Sequence, residues 1–133
     1  MNRSALAIVA SMGAVAVIVF QFPGTPATRP WPIIGGHLIA ALVGVTLSML
    51  VADRSIAASL AVGLSLVLMH FSRCMHPPGG GTALVAVTGG PAVYEAGYRF
   101  VLFPTLINAV LIACMAAAYS WLTDGPKVSK DGP

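Results

Sequence analysis

The stretch His76-Pro77-Pro78-Gly79-Gly80-Gly81-Thr82 lies between apolar segments long enough to cross a membrane. Two prolines lack backbone donors and bar the preceding residues from helix, and three glycines then free the chain to turn sharply. A regular helix therefore stops here, near Cys74-Met75, and a new helical run begins at Thr82. In hydrocarbon, a broken backbone is tolerated only where protein buries it or where it lines a polar cavity. An interruption at this depth is the first candidate for a functional site.

Working outward, apolar runs cover roughly 5–22, 33–52, 55–72 and 100–122, each near the ~20 residues that a spanning helix needs. A fifth run, 82–94, is shorter and rich in Gly and Thr. The 133 residues are 57% hydrophobic and 8% charged, against about a quarter charged in soluble domains, so the chain cannot cover its surface with polar groups. The pattern predicts an all-α, polytopic transmembrane helix bundle over residues 1–123. It would have about four spanning helices plus a short Pro/Gly-broken or re-entrant helix, followed by a polar tail over 124–133. The lipid bilayer is the first partner that this implies. Arg3, the apolar run and Ala14-Val15-Ala16 mimic a signal peptide, but the apolar run continues through Phe20, past the supposed cleavage point.

The net charge of +3 is small and dispersed. Arg3, Arg29, Arg54, Arg73 and Arg99 fall singly at segment ends, with Lys127 and Lys130 in the tail. That is interfacial anchoring, and it excludes a nucleic-acid surface. It leaves orientation open, because whether 82–94 crosses decides where Arg99 lies. Cys74 and Cys114 have no CxxC or framework spacing and read as free buried thiols.

Small residues recur every fourth position: Gly36, Ala40, Gly44 and Ser48; Ser55, Ser59 and Gly63; Ala109, Ala113 and Ala117. Such stripes let helices approach closely in lipid and predict a compact bundle. Asp53-Arg54 is so short a turn that 33–52 and 55–72 form an antiparallel hairpin. An internal repeat is also expected. A small-residue run, a Pro loop and a long helix occur at Gly13-Ala14, Phe22-Pro23-Gly24 and Ile33 to Leu38. They recur at Gly81-Thr82-Ala83, Gly90-Pro91 and Thr105 to Asn108. Gly/Pro-broken segments at corresponding places in two halves point to a transporter's binding site.

The break itself suits a small anion. The first N–H groups of a helix have no intrahelical partner and carry partial positive charge, so a glycine-rich helix start is a cradle for negative charge. Thr82 adds a hydroxyl, His76 a ring N–H, and Arg73 a fixed charge that is costly near the membrane core unless used or snorkelled. His70, three residues before Arg73, shares its helix face and is read as a packing residue. His37 and Asn108 stand at echoing positions after the two loops. The candidate binding residues are therefore Arg73, His76, Pro77, Pro78, Gly79, Gly80, Gly81, Thr82, His37 and Asn108. Met69-His70-Phe71-Ser72-Arg73-Cys74-Met75-His76 also packs soft ligands suited to copper or zinc. Arg73 in its middle opposes a cation, and no second Cys/His pair in the stretch completes a site. The only acids, Asp53, Glu95, Asp124 and Asp131, lie in loops or the tail and form no nucleophile–base set, so neither enzyme chemistry nor a cofactor is expected.

Cys74 to Leu84, with Ser11-Met12-Gly13-Ala14, Pro30-Trp31, Gly35-Gly36-His37, Gly89-Gly90-Pro91-Ala92 and Phe103 to Asn108, closely resembles the HPP family of integral membrane proteins. The resemblance runs from about residue 8 to 122. It implies a small bundle, usually described with four spanning helices and suspected of transport. Plant plastid members are implicated in nitrite movement. It also implies an integral protein of a bacterial inner (plasma) membrane. Some bacterial members carry a C-terminal regulatory CBS pair, a segment that these 133 residues do not include. Family members also have a full apolar helix ahead of the Ser-Met-Gly-Ala stretch, of which Ala5 to Ala10 remains, so a shortened N-terminal helix is expected.

These lines converge on a transporter or channel subunit for a small monovalent anion, with nitrite as cargo. So small a bundle is expected to need a homo-oligomer to enclose a path. The competing expectation is a non-transporting scaffold or sensor in which the broken segment only shapes the bundle, and the less favoured one is a copper or zinc transporter.

Overall fold

The structure is a computed structural model that describes residues 3–124, with side chains from Met12 to Thr123. It is an all-α bundle in the order α1 (Arg3–Gln21), a 3-10 turn (Pro26–Thr28), α2 (Pro30–Leu50), α3 (Arg54–Phe71), α4 (Pro78–Thr88) and α5 (Pro91–Ala96). A kinked segment, Val101–Leu106, then leads into α6 (Ile107–Asp124), with extended backbone at Phe103 just before Pro104. The tail expected from residue 124 onward lies outside the described residues, except for Asp124 at the end of α6.

The helix starts follow from local chemistry. Proline, which needs no donor there, opens α2, α4 and α5. Asp53 caps α3 by accepting from the N–H groups of Ser55 and Ile56, both at 2.9 Å, a cap worth ~1 kcal/mol. Pro30–Leu50, Arg54–Phe71 and Val101–Thr123 are each long and apolar enough to cross a membrane, and α1 adds the shorter apolar stretch Met12–Gln21. Asp53 and its neighbours do join α2 and α3 as a tight hairpin.

The central element is α4. Its 11 residues span roughly 16 Å, about half a bilayer core, and it packs against α2, α3 and α1. It runs parallel to α2, since His76 and Gly79 lie beside Gly36 while Ala83 and Ala86 lie beside Gly44. At one end His76 meets Ala27; beyond the other end Tyr94 lies under Arg54 and Gly97 meets Met49. The short fifth segment therefore carries the chain across, placing Arg99 on the side of Arg54 and opposite Arg29 and Arg73. The pair α1–α2 and the unit α4–α6 consequently run in opposite senses, with α3 between them.

The stripes divide. On α2, Gly36, Ala40 and Gly44 form the seat of α4: a Cβ on Gly44 would come within 2.6 Å of the Ala86 Cβ and 2.8 Å of the Ala83 carbonyl oxygen. On α6, Ala109 and Ala113 pack against Val15, Val19 and Ile33, joined by Ala116, while Ala117 is exposed. On α3 the expectation fails. Ser55, Ser59 and Gly63 face outward, and Ala57, Ala61, Ser65 and Met69, at the same spacing, fill the seam. The second face wins because its alanines admit α2 and α4 while Met69 fills the space over Gly79. Cys74 is buried and free as expected, but Cys114 sits on the exposed face of α6.

Candidate functional site

Between α3 and α4 the chain turns earlier than the prolines demand. α3 ends at Phe71; the Arg73 N–H donates to the His70 carbonyl at 3.1 Å, and the Cys74 N–H to that of Met69 at 3.0 Å. This nested pair is a Schellman motif, with Arg73 in its left-handed position at φ 53°. Trp31 closes the same corner by donating from Nε1 to the Ser72 carbonyl at 3.3 Å. The break is thus set by the helix end at Phe71, and Pro77-Pro78 serve to start the next helix. The glycines follow suit: Gly79, Gly80 and Gly81 are the first turn of α4 and not a loop before it.

That placement removes the expected amide cradle. Pro77 and Pro78 have no donors, while the Gly79 N–H donates to the His76 carbonyl at 2.9 Å and the Gly80 N–H to that of Pro77 at 3.0 Å. Glycine is required here for closeness. A Cβ on Gly79 would reach 2.6 Å from Met69 Cε and 3.1 Å from the Gly36 carbonyl oxygen.

Two imidazoles sit at this junction instead. His76, between the two helices, and His37, two turns into α2, are both 0% exposed, with ring centroids 5.1 Å apart and planes crossed at 61°. His76 Nδ1 donates to the Ala27 carbonyl at 2.9 Å, tying the α3–α4 junction to the α1–α2 loop. His37 Nδ1 is 2.7 Å from the Thr82 hydroxyl in α4. The Nε2 atoms of both rings are buried without a hydrogen-bond partner, as is Ser65 Oγ on the inner face of α3. Buried polar atoms without partners are costly and rare, so the two Nε2 atoms make this junction the candidate site.

Of the other candidates, Arg73 does not join the cluster; its side chain is exposed, because the left-handed turn faces it away from the bundle. His70 is likewise exposed, edge-on to Phe71 at 5.7 Å, and not a packing residue. Asn108 lies half-buried in the first turn of α6 and forms no hydrogen bond to either imidazole. Pro78 and Thr82 are buried in α4 while Pro77 is exposed. Ser65 escaped the sequence reading, as nothing in its neighbours separates it from the outward serines of the same helix. Among the described residues no three His, Cys, Asp or Glu side chains converge as a metal site. A cleft of about 400 Å³ opens elsewhere, between the ends of α1 and α6 and the loop that leads into α2. Its lining includes Thr28 and Arg29, the residues just after Ala27, so it adjoins the loop to which His76 is bonded.

The sequence around this junction matches a known domain, described as HPP, transmembrane region, over residues 1–128. The chain belongs to the HPP family. Two transmembrane proteins of Dictyostelium discoideum are similar to it. One is 38% identical over 113 residues, covering 82% of this chain and 39% of that protein; the other is 33% identical over 119 residues, covering 86% and 38%. This HPP chain thus spans about two fifths of the length of the curated relatives that it matches. No solved structure matches it. HPP membership and the apolar helices together make it an integral membrane protein.

Proposed function

We propose that this HPP protein is a carrier and not an enzyme: a transporter or channel subunit for a small monovalent anion, with nitrite as its best-motivated cargo. The observation that carries the reading is the pair of buried imidazoles, each with an unpartnered Nε2, at the start of a half-length helix. Half-helices that begin near a site, within one of two oppositely running halves, are a recurrent transporter architecture. The cleft lined by Arg29 lies on the same side as His76 and adjoins the loop to which His76 is bonded. Nitrite and a bacterial plasma membrane rest on the family resemblance, and a homo-oligomer on the small size of the bundle. The test is flux of nitrite, nitrate, chloride and formate through purified full-length chain in liposomes. Saturable flux of one of them supports the reading; none above protein-free vesicles sinks it.

A second reading draws on the other half of each imidazole. The bonds from His76 to Ala27 and from His37 to Thr82 staple α2, α4 and two loops together, as a scaffold or sensor would require. That reading expects loss of folding on substitution and no flux from the intact protein.

A further inference from the structure

The positive charge that an anion site needs is missing from the buried cluster. Arg73 is exposed, and so is Arg29. His70 is exposed, Cys74 is the buried thiol at the junction, and Arg54 lies at the far end of α3. Residues 12–21 of α1, all of α2 apart from His37, and all of α4 contain no Asp, Glu, Lys, Arg, Cys or second His. On α6 the only titratable groups are Cys114, which is exposed, Tyr119, which meets Phe20 edge-on at the end of α1, and Asp124 at the last position. The first-turn amides of α4 at Gly79 and Gly80 are already bonded.

The hydrogen bonds also fix what His76 can offer. A carbonyl oxygen only accepts, so the contact with Ala27 places a proton on Nδ1. In the neutral ring, Nε2 is then a lone pair, which repels an anion. An unpaired anion held at bilayer depth would in addition pay a large desolvation penalty. One added proton removes both obstacles, turning the lone pair into a donor and cancelling the charge of the guest.

We infer that the His37–His76 pair takes up its anion together with one proton, so that the site binds the components of a weak acid as an imidazolium–anion pair. The inference rests on the anion reading above and deepens it to electroneutral cotransport. On entry, H–A passes its proton to Nε2: the H–A bond breaks, the N–H bond forms, and A⁻ is held by the new donor. On release the N–H bond breaks and H–A is restored, or the proton passes to water beside the departing anion. No net charge crosses. His76 is the firmer of the two acceptors, since its tautomer is set by a carbonyl while that of His37 depends on which way the Thr82 hydroxyl points.

The test uses the purified full chain in liposomes holding a pH dye, with a nitrite gradient and the membrane potential clamped by potassium and valinomycin. Protein-free vesicles correct for unassisted nitrous acid. The inference expects one proton to enter per nitrite, at a rate insensitive to the clamped potential. His76→Asn keeps an amide donor for Ala27 but has no second ring nitrogen, so it should fold, by circular dichroism and gel filtration, and lose flux at least tenfold. Nitrite flux that follows the potential without proton movement overturns the inference and leaves the anion reading standing. Proton flux equal with and without nitrite overturns the coupling, as does undiminished flux in a folded His76→Asn. No flux of nitrite, nitrate, chloride or formate overturns both readings together. Should His76→Asn not fold, His37→Asn, which keeps an amide for Thr82, carries the same expectation and the same overturning result.

Discussion

His76 occupies the space that a side chain on Gly36 would fill: a Cβ there would lie 2.7 Å from the His76 Cβ and 3.2 Å from the Cys74 carbonyl oxygen. The small residue on α2 and the imidazole after α3 are therefore a matched pair. Gly36→Ala should push His76 off the Ala27 carbonyl and cost about 1–3 kcal/mol as overpacking. Thermal unfolding in detergent would show the loss, and transport should fall with it. Gly63→Ala, with nothing within 4 Å, is the silent control.

The seat of α4 predicts a graded series. Gly44→Ala meets the Ala86 Cβ and the Ala83 backbone, neither of which can yield. Gly79→Ala first meets the methyl end of Met69, which can swing aside, and only then the Gly36 carbonyl. Melting temperatures should rank Gly44→Ala lowest, Gly79→Ala between, and Gly63→Ala nearest the parent. Equal values for Gly44→Ala and Gly63→Ala would refute the packing of α4 in this groove.

Arg73→Gly should leave both fold and flux intact. Glycine relieves the left-handed backbone, worth ~1 kcal/mol, and forfeits a few tenths from a cation near a helix C-terminus. A tenfold loss of flux in this variant would return Arg73 to the site from which its exposed side chain excludes it.

Thr82→Val is nearly isosteric, so its cost reports the hydroxyl. Removing it leaves His37 Nδ1 buried and unpaired, at about 1–3 kcal/mol. Thr82→Ser should restore most of that stability in the same unfolding measurement. If valine is as stable as threonine, the His37–Thr82 contact contributes nothing.

Much of this architecture was legible because lipid imposes simple rules. Apolar length marked the long helices, and the short segment after the Pro/Gly run stood out as too brief to span alone. Of the candidate site, the two imidazoles were legible: His76 from its place beside the prolines, and His37 from its position after the loop. What escaped depends on side-chain direction. The helix end at Phe71 is set by a left-handed Arg73, and arginine, unlike glycine, does not announce that conformation. The glycines after Pro78 looked like a loop because their role, close approach to Gly36 and Met69, exists only once α2 and α3 are in place. The two small-residue faces of α3 share one spacing, so the pattern alone could not choose Ala57, Ala61 and Ser65 over Ser55, Ser59 and Gly63.

The brevity of α4 bears on how this protein is made. A stretch of 11 residues is too short to partition into a bilayer as an independent span. Its companions must therefore be in the membrane first, so that it enters a groove and not lipid. The imidazole pair can come together only at that late step, which makes completion of the site and completion of biogenesis the same event.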